Sequence, residues 1–334
     1  MQGDGRGVAL AVKEPLLSQA PPQPNQPTRR NLLLSGFCLC CLPQTLRASP
    51  SGPLAMEEVA SGLHIRRGLD EEASSANDNA LANIGFIMGR EGVLVTDPGG
   101  SRTDGERLRA AIAKVTPLPI KYVVMSHVHP DHIFGAGAFL ADHPVFVGHW
   151  RLTEMLRQRG PYYRAQLSAL LGAEPAGSLV EPTMEIHNKT ELDLGERRIE
   201  LTPHEPAHTL CDLSLFDQNT GTLLPADLLF VERMPSLDGS LRGWLKTLDE
   251  LSNIKAARAV PGHGPSAVDW PSASVALSRY LKTLAQDARA AIVQGVPLDA
   301  AVEKIAASEA RQWKLFEDYN ARNAAEAYCE LEWE

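Results

Sequence analysis

Six consecutive residues, His127-Val128-His129-Pro130-Asp131-His132, place four metal-binding side chains in one short turn. They follow an apolar run, Ile120-Lys121-Tyr122-Val123-Val124-Met125, that reads as a buried β-strand. A chain containing this segment must end that strand where a cation can be held. In extended backbone, residues two apart point the same way, so the imidazoles of His127 and His129 can face one cation. Pro130 fixes its own φ and can open a helix, which turns Asp131 and His132 toward a second cation. Three imidazoles and a carboxylate suit zinc, with iron or manganese less favoured by so nitrogen-rich a set. The bland alternative is a His-rich surface turn, which would make no demand on the rest of the chain.

Downstream segments do answer such a demand. Pro206-Ala207-His208-Thr209 ends a strand-like stretch, Arg198-Ile199-Glu200-Leu201-Thr202, and Leu224-Pro225-Ala226-Asp227-Leu228 ends another. A third ends in Ala259-Val260-Pro261-Gly262-His263-Gly264. Singly, each is weak, because a lone His after a strand is commonly structural and a lone Asp commonly caps or turns the chain. Together with the first cluster they complete seven ligands for two metals.

The order HxHxDH, then His, Asp and His, resembles the metallo-β-lactamase-fold hydrolases. That resemblance, running from about Glu57 to the chain's end, implies an α/β fold: an αββα four-layer sandwich with the site at one edge of its two sheets and a C-terminal helical extension. Carried over by position, it implies one metal held by His127, His129 and His208, a second by Asp131, His132 and His263, and Asp227 bridging both. Asn83-Ile84-Gly85-Phe86-Ile87, Asp97-Pro98-Gly99-Gly100-Ser101, Phe146-Val147-Gly148-His149 and the terminal Glu330-Leu331-Glu332-Trp333-Glu334 look like the exported zinc metallohydrolases associated with bacterial quinoprotein dehydrogenase and sulfur-oxidation systems. This narrower likeness implies a functional link to a periplasmic quinoprotein dehydrogenase and leaves the substrate open, since one scaffold hosts many reactions.

The expected organisation is a disordered, proline-rich n-region with a twin-arginine signal peptide over residues 1–55 and one catalytic domain over 56–334, whose segment 270–334 is helical. Arg29-Arg30 precedes a short apolar run ending near Leu42, too short to span a bilayer, so it reads as an export signal to the periplasm rather than an anchor. An interfacial helix is the alternative. Cys38, Cys40 and Cys41 fall inside that run, which leaves Cys211 and Cys329 beyond it. Cys211, three residues after His208, reads as packing, with a place beside the metal ligands as the other reading. The two cysteines could form a disulfide in an oxidising compartment, although sequence alone does not place them within bonding distance.

Residues 1–48 hold five of the 32 basic and two of the 41 acidic residues, so the remainder is net −12. Such a surface repels phosphate backbones and excludes nucleic acid as a partner. A hydrophobic content of 44% is ordinary for a globular enzyme, and no stretch beyond the N-terminus suggests stable membrane insertion. Oligomeric state is not legible, although the C-terminal helices either pack across the fold or form a dimer surface.

Further elements can be read coarsely. Residues 63–66, 83–88, 92–97 and 145–147 look like strands, 105–114 and 150–171 like helices, with a second helix running from the motif through Leu140. Gly135 and Gly137 would let that helix approach the sheet. Residues 186–202 read as a hairpin around Leu194-Gly195, and 213–224 as another around Asn219-Thr220-Gly221.

These features predict a hydrolase with two divalent metal ions, zinc being the best match to the ligands, in which activated water attacks an ester, thioester, lactone or related carbonyl of a small molecule. Asp131 and Asp227 are the candidate catalytic groups for moving protons, Asp131 being first a ligand. Asp97 either orients a ligand imidazole or bonds nearby backbone. Tyr162 and Tyr163 are weak substrate-binding candidates that equally suit a helix surface. β-Lactamase activity is expected only as a secondary function, because an acidic Asp227 stands where Cys or Ser is usual and Phe230 where a Lys would grip a carboxylate. A glyoxalase-II-type thioesterase would continue Gly262-His263 with Glu-Tyr-Thr, whereas Gly264-Pro265 follows here. The competing class is a non-enzymatic accessory protein that binds a quinone cofactor or metal for an exported dehydrogenase.

Overall fold

A computed structural model describes residues 52–334. The twin-arginine segment and Cys38, Cys40 and Cys41 lie outside the described residues. The chain runs through β1 (Glu57–Ala60), β2 (Leu63–Arg66), β3 (Ile84–Met88), β4 (Val93–Thr96), α1 (Arg102–Val115), β5 (Ile120–Met125), the single turn α2 (Pro130–Ile133) and a 3₁₀ stretch, Phe134–Asp142. Then come β6 (Val145–His149), α3 (Leu152–Leu171), α4 (Ala173–Ala176), β7 (Met184–Ile186), β8 (Thr190–Asp193), β9 (Arg198–Pro203), β10 (Leu213–Asp217) and β11 (Thr222–Phe230). It finishes with α5 (Leu241–Ser252), β12 (Arg258–His263), α6 (Ser274–Val293), α7 (Leu298–Ala301) and α8 (Phe316–Leu331).

Strands β1 to β7 form one sheet in chain order, and the second has the order β12-β11-β10-β9-β8. Pairing in the first is antiparallel up to β4 and parallel from β4 to β7, where helical segments supply the crossovers that parallel neighbours require. Side chains alternate across each strand, and both faces are apolar. Val93, Val95, Val123 and Met125 join Leu108 of α1 and Leu156 of α3, while Leu94 and Val124 face Leu201, Leu215 and Val260 of the other sheet. Behind the second sheet, Leu223 and Leu229 of β11 pack with Trp244 of α5, Leu281 of α6 and Ala324 of α8. The result is the four-layer αββα sandwich, with α6 and α8 as the C-terminal helical addition to the outer layer.

Several boundaries differ from the sequence reading for local reasons. Helix α1 starts at Arg102 rather than Gly105, because the Ser101 hydroxyl accepts a hydrogen bond from the Asp104 N–H and caps it. Residues 134–142 are 3₁₀ rather than α-helical. Gly135 serves contact with α1 and the turn after β4 instead of with a sheet: a Cβ there would lie 2.1 Å from the Pro98 carbonyl oxygen and 3.1 Å from the Gly105 Cα. Gly137 has no such close neighbour, its Cβ position being 3.5 Å from Ser178 Oγ. Ile186 does not open the first hairpin, because β7 pairs with β6 in the other sheet and the hairpin proper is β8–β9. The β10–β11 hairpin forms as expected. Among the described residues no helix is long and apolar enough to cross a membrane.

Candidate metal centre

Ligand-type side chains arrive at one sandwich edge from both sheets. β5 delivers His127 and His129, and α2, opened by Pro130 at its first position, carries Asp131 and His132, the His132 ring lying 4.3 Å from that of His127. His208 lies in the β9–β10 connection, pinned where Asp212 accepts both the Thr209 N–H (2.8 Å) and the Thr209 hydroxyl (2.6 Å). His263 ends β12, which is tied to the first sheet by Asn83: its amide donates to the Pro261 carbonyl (2.8 Å), and its backbone N–H donates to the Gly262 carbonyl (2.7 Å).

Asp227 is placed differently from the sequence reading. It lies inside β11 rather than after it, at a register break against β12. Ala226 there adopts φ 48°, in the left-handed region, at a cost of about 1 kcal/mol. Such irregularities re-aim a side chain, and here the carboxylate crosses to the histidines. Gly262 makes room for it, since a Cβ at that position would lie 1.9 Å from Asp227 Oδ1.

All seven side chains named from the sequence are brought together in two groups. His127, His129, His208 and Asp227 offer donor atoms within 4.8 Å of one another, and so do Asp131, His132 and His263. Asp227 reaches both groups: its Oδ2 is 3.3 Å from His208 Nε2 and 3.4 Å from His263 Nε2, and its Oδ1 is 3.0 Å from His132 Nε2. Asp131 Oδ2 lies 3.3 Å from His263 Nε2.

The outward nitrogen of each imidazole is engaged, which fixes the atom presented inward. His132 Nδ1 donates to Asp97 Oδ2 (2.9 Å), His208 Nδ1 to the Ser236 carbonyl (2.6 Å) and His263 Nδ1 to the Leu81 carbonyl (3.1 Å). Ser126 donates its hydroxyl to Asp97 (2.9 Å) and therefore accepts from His127 Nδ1 (2.9 Å). His129 is inverted: Nε2 donates to Asp238 Oδ2 (3.2 Å), leaving Nδ1 to face His127 and His208. Asp97 thus contacts the His132 imidazole while also accepting the Ser126 N–H (2.8 Å).

Electrostatics follow from this packing. Burial opposes the imidazolium of His132, but Asp227, Asp97 and Asp131 outweigh it and pull its pKa well above the ordinary imidazole value. Burial, reinforced by His132, holds His127 well below that value. Burial also opposes ionisation of Asp227, yet His132, His263 and His127 keep it well below the usual carboxylate range. The donor set is thus an anionic carboxylate among imidazole nitrogens. His132 Nε2 and Asp227 Oδ1 are buried there without a hydrogen-bond partner, which costs free energy unless a cation accepts their lone pairs. The residues therefore fit divalent metal binding.

A cavity of about 190 Å³ opens over the second group, with Tyr163, Arg233, Tyr319 and Arg322 in its wall. Tyr163 is near the centre, its ring 6.4 Å from that of His129, whereas Tyr162 is 64% exposed and absent from the wall. Cys211 is buried and Cys329 exposed, and both are free. The sequence reading missed Asp238, which Arg159 grips and to which Arg322 Nη2 donates (3.0 Å). It sits in an irregular stretch between β11 and α5, where no periodicity marks it. Its only sequence cue is a lone carboxylate in Pro235-Ser236-Leu237-Asp238-Gly239.

Comparison with known proteins agrees with this architecture. The linear primary-alkylsulfatase of Pseudomonas sp. (strain ATCC 19151) is 24% identical over 216 residues, 54% of this chain, and the match spans 40% of that relative's length. Among solved structures, a metallo-β-lactamase from Pontibacter korlensis superposes with a TM-score of 0.55 at 18% identity, over 69% of this chain and 99% of that one. A double mutant of the sec-alkyl sulfatase PisA1 gives 0.63 at 17% identity, over 82% of this chain and 50% of that one. The profile of the Metallo-beta-lactamase superfamily matches residues 78–263, a span that opens in the loop before Asn83 and closes on the last of the seven metal-type side chains, and the chain belongs to that superfamily.

Proposed function

We propose that this protein is a binuclear-metal hydrolase, with a ligand chemistry that suits zinc, that cleaves an ester-type bond of a small molecule. The observation that carries the reading is Asp227, whose carboxylate reaches both groups of imidazoles, Oδ2 lying beside His208 and His263 and Oδ1 beside His132. Divalent ions held by these residues would supply an activated water at neutral pH and would polarise the scissile group. Asp131 and Asp227, both on the cavity wall, are placed to hold a proton passing from that water to the leaving group. Tyr163 and Arg322 present a hydroxyl and a cation to an anionic or carbonyl oxygen. Carboxylic esters, thioesters and lactones fit this arrangement. Sulfate esters are a second reading, favoured by the likeness to alkylsulfatases and by the arginines lining the cavity. Arg29-Arg30 supports action in the periplasm, and a link to an exported quinoprotein dehydrogenase belongs to the same proposal.

The test is metal-loaded protein assayed on carboxylic ester, thioester, lactone, β-lactam and sulfate ester panels, with metal analysis of wild type and Asp227→Ala. Two ions per chain, falling to one or fewer in the variant with loss of turnover, are expected. Unchanged stoichiometry would remove the bridging role. A lack of turnover on every panel, with tight binding of a quinone cofactor, would favour an accessory protein.

A further inference from the structure

The cavity over the metal-type residues is small for an organic ligand. At about 190 Å³ it falls short of the roughly 300–1,000 Å³ that encloses a typical organic ligand, so it holds little beyond the reacting group. Beside it runs a larger groove of about 480 Å³. The two share Pro130 and Tyr163, which places the groove's inner end at the turn that delivers Asp131. One wall is α3, where Tyr163, Gln166, Leu167 and Leu170 recur at the spacing of a single helical face. The other includes Ala73 and Asn79. No Asp, Glu, Lys or Arg lines it. Leu170, a large apolar side chain, is nevertheless 38% exposed there. An uncharged trough leading away from a charged cavity matches a molecule that is polar at one end and hydrocarbon for the rest.

Resting on the ester-hydrolase reading, we propose that this groove receives the unbranched acyl chain of the substrate, with Leu167 and Leu170 as its apolar wall and the ester group presented past Tyr163 to the metal centre. The occupant is set by the groove's continuity with the reaction cavity and by its lack of charge. Full burial of one methylene is worth about a fourfold gain in kcat/KM, and an open groove returns part of that.

The experiment uses metal-loaded full-length protein and p-nitrophenyl esters from acetate to octanoate, below micelle-forming concentrations. In wild type kcat/KM should rise about twofold per methylene. The octanoate-to-acetate ratio should fall tenfold or more when either wall receives a charge, by Leu170→Glu or by Ala73→Glu, both at exposed positions. Binding of the products, followed by calorimetry with butanoate and octanoate, should favour octanoate in wild type and lose that preference in both variants. Turnover of the acetate ester with no chain-length dependence overturns the groove and leaves the hydrolase reading intact. Failure to turn over any ester overturns the ester reading, and the alkanoate measurements then decide the groove alone: equal affinity for butanoate and octanoate refutes it.

Discussion

Asp97→Asn removes one charge and one acceptor from the centre while keeping the backbone. Asp97 has φ 54°, and Asn is among the few residues that tolerate that region. In the native protein Oδ1 accepts the Ser126 N–H, and Oδ2 accepts both the Ser126 hydroxyl and His132 Nδ1–H. With Oδ1 retained for the backbone, the new amide nitrogen faces two donors. His132 then either loses its partner or accepts from the amide at Nδ1, which moves its proton to Nε2. That atom is buried, lacks a hydrogen-bond partner, and lies 3.0 Å from Asp227, so a proton there opposes a metal ion directly. A hydrogen bond to a charged group contributes about 1.5–3 kcal/mol, equivalent to roughly a 10- to 150-fold loss in affinity for a metal held by His132. This agrees with the 10- to 100-fold typical of groups that support metal ligands. Titration of metal-free protein with zinc against a chromogenic chelator at pH 7.5 reads the effect, with circular dichroism to check folding. One binding step should weaken by about 10- to 100-fold. Two constants within threefold of wild type, in a folded variant, would refute the reasoning.

Three further outcomes test other parts of the structure. Asn323→Ala leaves the Leu237 N–H and Pro235 carbonyl without their side-chain partner and should lower unfolding free energy by about 2–4 kcal/mol in urea. A change below about 0.5 kcal/mol would show that α8 does not brace the loop holding Ser236 and Asp238. Burial, together with Asp212, pushes the Cys211 thiol up to about 12, so native protein should be alkylated at exposed Cys329, with Cys211 reacting only after denaturation; peptide mass spectrometry showing native labelling of Cys211 would contradict this. Burial pushes His149 and His204 down to about 4, against roughly 6.5 in an unfolded chain. The unfolded state therefore binds more protons between these values, so stability is full above about 6.5 and is lost as pH falls toward 4. In metal-free protein, His204→Asn should lose less stability than wild type between pH 7 and 4.5, and equal losses would refute the assignment.

The candidate ligand residues at strand ends were readable because the code is local. His127 and His129 sit at period two after an apolar strand, and Pro130 marks the turn that separates Asp131 and His132 from them. The layers were readable for a related reason, since runs such as 93–96 and 120–125 are apolar on both faces. Distant partners set what escaped. Asp227 lies within β11 only because β12, with Gly262 opposite, approaches there. Strand β7 follows β6 rather than β8 because pairing is settled in three dimensions, and nothing in Met184-Glu185-Ile186 announces its sheet. Asp238, Arg159 and Arg322 come from a loop and two helices, and long side chains converging in this way leave no spacing to find.

The two-sheet origin of the centre has a consequence for assembly. His127 and His129 hang from one sheet, while His208, Asp227 and His263 hang from the other. An ion bound between them acts as a rivet through the sandwich, stabilising only molecules whose halves have already docked. A nascent fragment ending before Gly262 lacks His263 and cannot close the second set of ligands. A cation spanning both groups would therefore require the two sheets to have docked, and its loading would report that docking.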